Sequence, residues 1–240
     1  VLNVETLDIL NRYPDFIDNI KVVADMGCGL GNDAFWWATL KDSNGDHRNI
    51  KVNAVDKHIE NSLVKTHSNI KYKQCDFSNT NFESNSHDFV WAYNSLQYSL
   101  TPLQTLLHWQ DMLKPEAMLL ITVPYNFQID NHRDILKVDA LYQHNCYYNW
   151  TLGNLIMSLA VTGFDCRSSH FKIDKNNKYI QAAVYKLEDK ASINLDWYDM
   201  CDKKMLPLCL EEAIMKNGNF KESDIICEWI DRTQYMLKVL

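Results

Sequence analysis

"DMGCGLGNDAFWW", residues 25–37, sets three glycines in five positions directly ahead of a bulky apolar run. On its N-terminal side, "IKVVADMG" is a compact apolar run of strand length that ends in glycine. On its C-terminal side, residues 33–40 read as a short helix, closed by the turn-rich "KDSNGDHRN". The stretch is therefore a strand, a tight glycine turn and a helix. Bare backbone in such a turn serves a ligand that comes close, because a Cβ there would collide with it or demand an unfavourable φ. Two patterns overlap on these residues. Gly29-Leu30-Gly31-Asn32-Asp33-Ala34 fits G-x-G-x-x-A, and Asp25 to Gly31 fits Asp-x-Gly-Cys-Gly-x-Gly. They call for different ligands.

Working outward, apolar runs and helical patterns alternate. Before the first strand lies an amphipathic opening with Val4, Leu7 and Leu10, interrupted by Pro14. After it, "KVNAVD" predicts a second strand, "HIENSLVKT" (58–66) a helix, "IKYKQCD" a third strand and "DFVWAYN" a fourth. Thr101 and Pro102 open the next helix, with Leu103, Leu106, Leu107 and Leu113 on one side, and "AMLLITVP" is strand five. Such alternation implies right-handed crossovers and a doubly wound parallel sheet, whose ligands bind beyond the carboxyl ends of the strands.

Beyond Pro124 the pattern changes. A helix over 151–162 with Gly163 at its end precedes "FDCRSSHFKID" and "KYIQAAVYKL", two strands joined by "DKNNK". This closing hairpin is foreign to a nicotinamide domain. Residues 189–240 carry Trp197, Tyr198, Leu206 and Leu208 and two helical patterns, around 209–216 and 223–238. They read as a small C-terminal helical appendage.

From Val22 to Val184 the chain resembles the class I S-adenosylmethionine-dependent methyltransferases, on several motifs in the family's order. The resemblance implies an α/β fold: a Rossmann-like, doubly wound, mostly parallel seven-stranded sheet closed by an antiparallel hairpin. It assigns 1–188 to the methyltransferase domain. It also implies S-adenosylmethionine as cofactor and an enzyme that transfers its methyl group. Asp25 then helps to anchor the methionine end, beside the turn Gly27, Cys28, Gly29 and Gly31. Asp56, followed by Lys57, takes the ribose hydroxyls, a device that NAD enzymes share. Asp76 takes the adenine amino group with Phe77 against the ring, and Asn94 faces the methionine part. "LKPEAMLL" matches the family's L-K-P-G-G-x-L except that Glu116 and Ala117 replace two glycines, which puts that turn's geometry in question. The rival nicotinamide reading needs Ala34 as a third small residue and a strand without an acid at its end.

The methyl acceptor is expected under residues 125–150, which join strand five to the last helix and act as a lid. Tyr125, Tyr142, Tyr147, Tyr148 and Trp150 are candidate pocket walls, and His144, His132 and Tyr98 candidate catalytic groups. "NSLQ" after strand four is not the Asn/Asp-Pro-Pro-aromatic signature of nucleic-acid amino methyltransferases. A small-molecule or sugar-type acceptor is favoured. A non-catalytic protein that binds the cofactor shares every one of these motifs and stays open as the alternative.

Composition agrees with a folded α/β enzyme: 240 residues, 46% hydrophobic, 23% charged and a net charge of −7, which disfavours a generic phosphate-backbone binder. The seven cysteines form no C-x-x-C pair, so reduced thiols and no metal site are expected. Neither a signal-peptide pattern nor a membrane-length apolar run is present, which predicts a cytoplasmic protein without membrane partners. Nothing in the sequence reports its oligomeric state.

Overall fold

The computed structural model describes residues 10, 13–60, 62–125, 147, 148, 150–173, 179–188 and 194–218. Strands β1 (Val22–Met26), β2 (Lys51–Asp56), β3 (Ile70–Gln74), β4 (His87–Tyr93), β5 (Leu113–Pro124), β6 (Phe164–Ile173) and β7 (Tyr179–Lys186) form one sheet in the order β3-β2-β1-β4-β5-β7-β6. β1 to β5 are parallel; β7 runs antiparallel between β5 and β6. The fold is the Rossmann-like one expected, with the strand order reversing between β1 and β4. At that reversal a crevice opens beyond the carboxyl ends of neighbouring strands.

Helices α1 (Pro14–Asn19) and α2 (Asn32–Ala38) precede and follow β1; α3 (Pro102–Met112) links β4 to β5 and α4 (Leu152–Val161) leads into β6. The strand period of two divides the core in two. Val23, Phe89, Trp91, Met118 and Leu120 face one way and pack with Trp37 of α2, while Ala24, Val90, Ala92, Leu119 and Ile121 face the other, with Trp109 of α3 and Leu155 and Leu159 of α4. Thr151 closes a capping box with Asn154 at the start of α4. The described C-terminal helices, α5 (Trp197–Asp202) and α6 (Leu208–Asn217), and the link between them bury Met200, Cys201, Leu206, Leu210 and Ile214 in the same cluster as α4 and Phe164 of β6. Arg167 of β6 pairs with Glu211 of α6.

Two local expectations differ from the structure. Residues 58–60 and 65–66 are irregular and 62–64 form a turn, not a helix. His58 spends its N–H on the Asp56 carboxylate (3.0 Å), Lys65 donates to Leu30 O (3.1 Å), and Leu63 stays 58% exposed. A helix this short, with no packed apolar face, does not repay its nucleation. Strand β5 also begins earlier, at Leu113, with an irregularity over 114–117: the pairing steps from His87↔Leu113 to Phe89↔Met118. Glu116 holds φ at +61°, so the backbone keeps the conformation that the family's glycine would supply.

His87 lies at the start of β4, 2% exposed, with Nε2 on Asn53 (2.9 Å) and Nδ1 on the Ser86 hydroxyl (2.8 Å). Burial pushes its imidazole from the ordinary 6.5 down to about 4. A folded-state value below the unfolded one means that the neutral ring stabilises the fold: its contribution is complete above pH 6.5 and is lost as pH falls toward 4. The loss is expected to reach about 3 kcal/mol, read as a fall in urea midpoint across that window. His87→Gln, neutral throughout, should flatten the slope.

Candidate active site

The glycine turn is tied to the sheet before any ligand is considered. Val55 O of β2 accepts from both Gly27 N–H (2.8 Å) and Cys28 N–H (3.0 Å), and Cys28 O accepts from Gly31 N–H (2.8 Å). Gly27, Gly29 and Gly31 have φ of +81°, +51° and +73°, a region side chains avoid. Their surroundings differ from the expectation of three contacts with ligand. A Cβ on Gly27 would sit 2.5 Å from Ser95 Cβ, and one on Gly31 would sit 1.9 Å from the Tyr72 hydroxyl. The collisions at these two are with the protein itself, because the turn packs against the loop after β4 and against β3. Gly29 alone has nothing within 4 Å of such a Cβ.

Asp56, at the end of β2, accepts from Gly29 N–H on Oδ2 (2.9 Å) and from His58 N–H on Oδ1 (3.0 Å). The acid expected on the ribose thus also holds the open glycine in place. Asp76, just past β3, accepts the Ser78 N–H (2.9 Å) and hydroxyl (2.6 Å) and pairs with Lys57 at 3.2 Å. Partial burial would raise its pKa, but the Ser78 bonds and the Lys57 ammonium hold it below the ordinary carboxylate value. Phe77 turns toward the core, its ring 5.9 Å from that of Trp109, whose indole N–H donates to Phe77 O (2.9 Å).

Asp25 is 2% exposed at the end of β1. Burial raises its pKa well above the ordinary carboxylate value, the charges of Asp33 and Asp56 add to this, and the Ala34 backbone N–H opposes it. Among the described residues its Oδ2 has no partner, and neither do the buried Asn94 Oδ1 and Ser95 Oγ after β4 or Thr122 Oγ1 on β5. Orphaned buried polar atoms are costly and rare, so several at one sheet edge mark a place where a ligand completes the bonding. Asn94 adopts φ +53° and donates its N–H to Thr122 O (2.9 Å), which ties the ends of β4 and β5 together. Cys28 is held with its thiol neutral, since burial and then Asp25 push its pKa up.

Tyr98 lies on the 3-10 turn Leu96–Tyr98, 38% exposed. Gln97 O accepts from the N–H groups of Tyr147 (2.9 Å) and Tyr148 (3.3 Å), and Tyr148 donates to Leu100 O (3.1 Å). Of the expected pocket walls, Tyr148 and Trp150 line a groove of about 500 Å³ with Leu100, Pro102, Leu103 and Asn154. His132, His144, Tyr142 and most of the 125–150 segment lie outside the described residues. Sequence reasoning missed Asp33 and Ser95. Asp33 sits inside the opening stretch, two residues past Gly31, and its charge within a helix start was the available signal.

Residues 24–121 match the family model described as a methyltransferase domain. No curated protein matches the chain. Among solved structures, a Listeria monocytogenes protein classed as an S-adenosylmethionine dependent methyltransferase is similar at 17% identity, with TM-score 0.57 over 77% of this chain and 98% of its own. The 1,6-didemethyltoxoflavin-N1-methyltransferase of Burkholderia thailandensis is similar at 15% identity, with TM-score 0.54 over 74% of this chain and 76% of its own. The phosphoethanolamine N-methyltransferase 2 of Haemonchus contortus is similar at 16% identity, with TM-score 0.56 over 77% of this chain and 52% of its own. At such identities the likeness speaks for the fold.

The glycines separate structure from binding. Gly31→Ala drives a methyl into the Tyr72 hydroxyl, which is fixed by its bond to Lys65 O (2.5 Å), and should cost about 2–3 kcal/mol of stability. Gly29→Ala meets only the backbone cost of about 1 kcal/mol. Urea titration of both variants checks the order; equal losses would show the contact with Tyr72 to be immaterial.

Proposed function

We propose that this chain, which carries a class I S-adenosylmethionine-dependent methyltransferase domain, transfers a methyl group from that cofactor to a small-molecule or sugar-type acceptor. The observation that carries the reading is the set of unpartnered buried atoms, Asp25 Oδ2, Asn94 Oδ1 and Ser95 Oγ, gathered round a positive-φ glycine turn with acids at the ends of the next two strands.

S-adenosylmethionine, when bound, supplies a methyl group already activated by a sulfonium. The chain's residues provide binding, alignment and charge. Asp56 accepts from the ribose hydroxyls while it keeps its bond to Gly29, since each carboxylate oxygen can accept more than one hydrogen bond. Asp76, held ionised by Ser78 and Lys57, accepts from the adenine amino group. Asp25 and Asn94 take the methionine end. With Asp33 and Asp56 close to Asp25, the edge is electronegative and suits a cation. Gly29 leaves room for the ligand against bare backbone.

For the acceptor, support comes from the groove beside Tyr148 and Trp150 and from two solved relatives whose names give small-molecule methyl acceptors. In-line attack needs the accepting atom within roughly 3–3.5 Å of the methyl, and a hydroxyl acceptor also needs a base. His144, His132 and Tyr98 remain the groups proposed for that task. Residues 1–188 are taken as the catalytic domain and 189–240 as the appended helices.

Calorimetry should give micromolar-range affinity for S-adenosylmethionine and for S-adenosylhomocysteine, roughly −8 kcal/mol, and none for NAD. Asp56→Ala should weaken binding about 10- to 100-fold, through lost ribose acceptors and a loosened turn. Gly29→Val should fold and fail to bind. Preference for NAD overturns the reading; binding without transfer to any member of a broad acceptor pool, tested with radiolabelled cofactor, favours the non-catalytic alternative.

A further inference from the structure

Asp33 takes no part in the expected cofactor contacts, yet the structure brings it to Asp25 along two routes. Asp25 and Trp91 are direct partners across the β1–β4 pair. The indole N–H of Trp91 donates to Asp33 Oδ2 at 3.1 Å. On the helix side, the backbone N–H of Ala34, the residue after Asp33, faces the Asp25 carboxylate and works to lower its pKa. One acid thus comes from the strand end and the other from the first turn of α2, over a wall of rings: Trp91 lies 5.7 Å from Trp37 and stacks on Tyr93 at 6.3 Å.

The other ionisable groups facing Asp25 are Asp56, Cys28 and Tyr72. Burial and then the neighbouring Cys28 and Asp25 push Tyr72 up to about 12, and Cys28 is likewise kept neutral. Among the described residues no lysine or arginine forms an ion pair with Asp25 or Asp33. Two carboxylates sharing a poorly solvated site do not both ionise readily. A cation is what would relieve them, and the unpartnered atoms beside them, Asp25 Oδ2 and Ser95 Oγ next to Gly27, point to a ligand at this place.

We propose that Asp25 and Asp33 hold one proton between them in the free protein, and that a cationic ligand entering the glycine turn expels it. The inference rests on the reading of the site as one for S-adenosylmethionine, and makes Asp33 a positioning residue for charge. In the step, the carboxyl O–H bond breaks, its electron pair stays on the carboxylate, and the proton passes to solvent. No oxidant or further reactant enters. Burial raises both carboxyl groups above their ordinary values, and the Trp91 bond restrains Asp33. Affinity should therefore rise with pH until the free protein has lost the proton.

The test is calorimetry of the full chain with S-adenosylmethionine at several pH values between about 5 and 8, each in two buffers of different ionisation heat. The wild type should release up to one proton, with Kd tightening as much as about tenfold per pH unit where release is complete. Asp33→Asn keeps an acceptor for Trp91 and removes the charge. It should still bind and, because burial alone keeps the Asp25 carboxyl raised, should move the release and the pH at which Kd levels off to lower values. Trp91→Phe removes the bond that restrains Asp33 and should move the release to higher pH. Binding without buffer-dependent heat overturns the proton pair while sparing the cofactor reading, as does an Asp33→Asn profile identical to wild type. No binding at all defeats the cofactor reading, and the inference with it.

Discussion

The carbonyl of Val55 accepts from Gly27 N–H and Cys28 N–H, and the rest of the site depends on that pair of bonds. They fasten the end of β1 to the end of β2, so the chain cannot leave the sheet in extended form and must turn through three positive-φ residues before α2 begins. Once the turn is fixed, Ser95 meets Gly27, Tyr72 meets Gly31, and Gly29 N–H is delivered to Asp56. A side chain at Gly27 or Gly31 would push the turn off its seat. The bare backbone at those two positions thus serves packing, and only the glycine between them leaves space for something else.

That division explains how one short stretch can be both rigid and receptive. The polar atoms at the strand ends are held in place by backbone bonds, such as Asn94 N–H to Thr122 O, so their side chains are fixed although several lack partners. A site built this way is organised before the ligand arrives, and ligand binding spends little on ordering it. The aromatic layer of Trp37, Phe89, Trp91 and Tyr93 beneath α2 adds a second effect. It lowers the local polarity next to Asp25 and Asp33, which strengthens every charge interaction there.

Much of this was legible along the chain. The apolar runs and the glycine stretch predict strands β1 to β7 and their alternation with helices, because period and turn chemistry are local properties. The apolar spacing of 58–66 resembles a helix, but the His58 N–H is taken by Asp56, two residues earlier, and the Lys65 N–H by Leu30, 35 residues away in sequence. Glu116 departs from the glycine pattern; the backbone holds the left-handed conformation all the same, since its neighbours in β4 and β5 set the path.

By itself the sequence determined the order of elements, the place of the glycine turn and the acids Asp25, Asp56 and Asp76 at three strand ends, since each follows from residues close together in the chain. Only the tertiary structure decided which glycine is open, that Asp56 grips the turn, and that Trp91 joins Asp33 to Asp25. Those facts depend on contacts between residues tens of positions apart, 27 for Gly29 with Asp56 and 58 for Asp33 with Trp91, and no local pattern encodes a distance across the sheet.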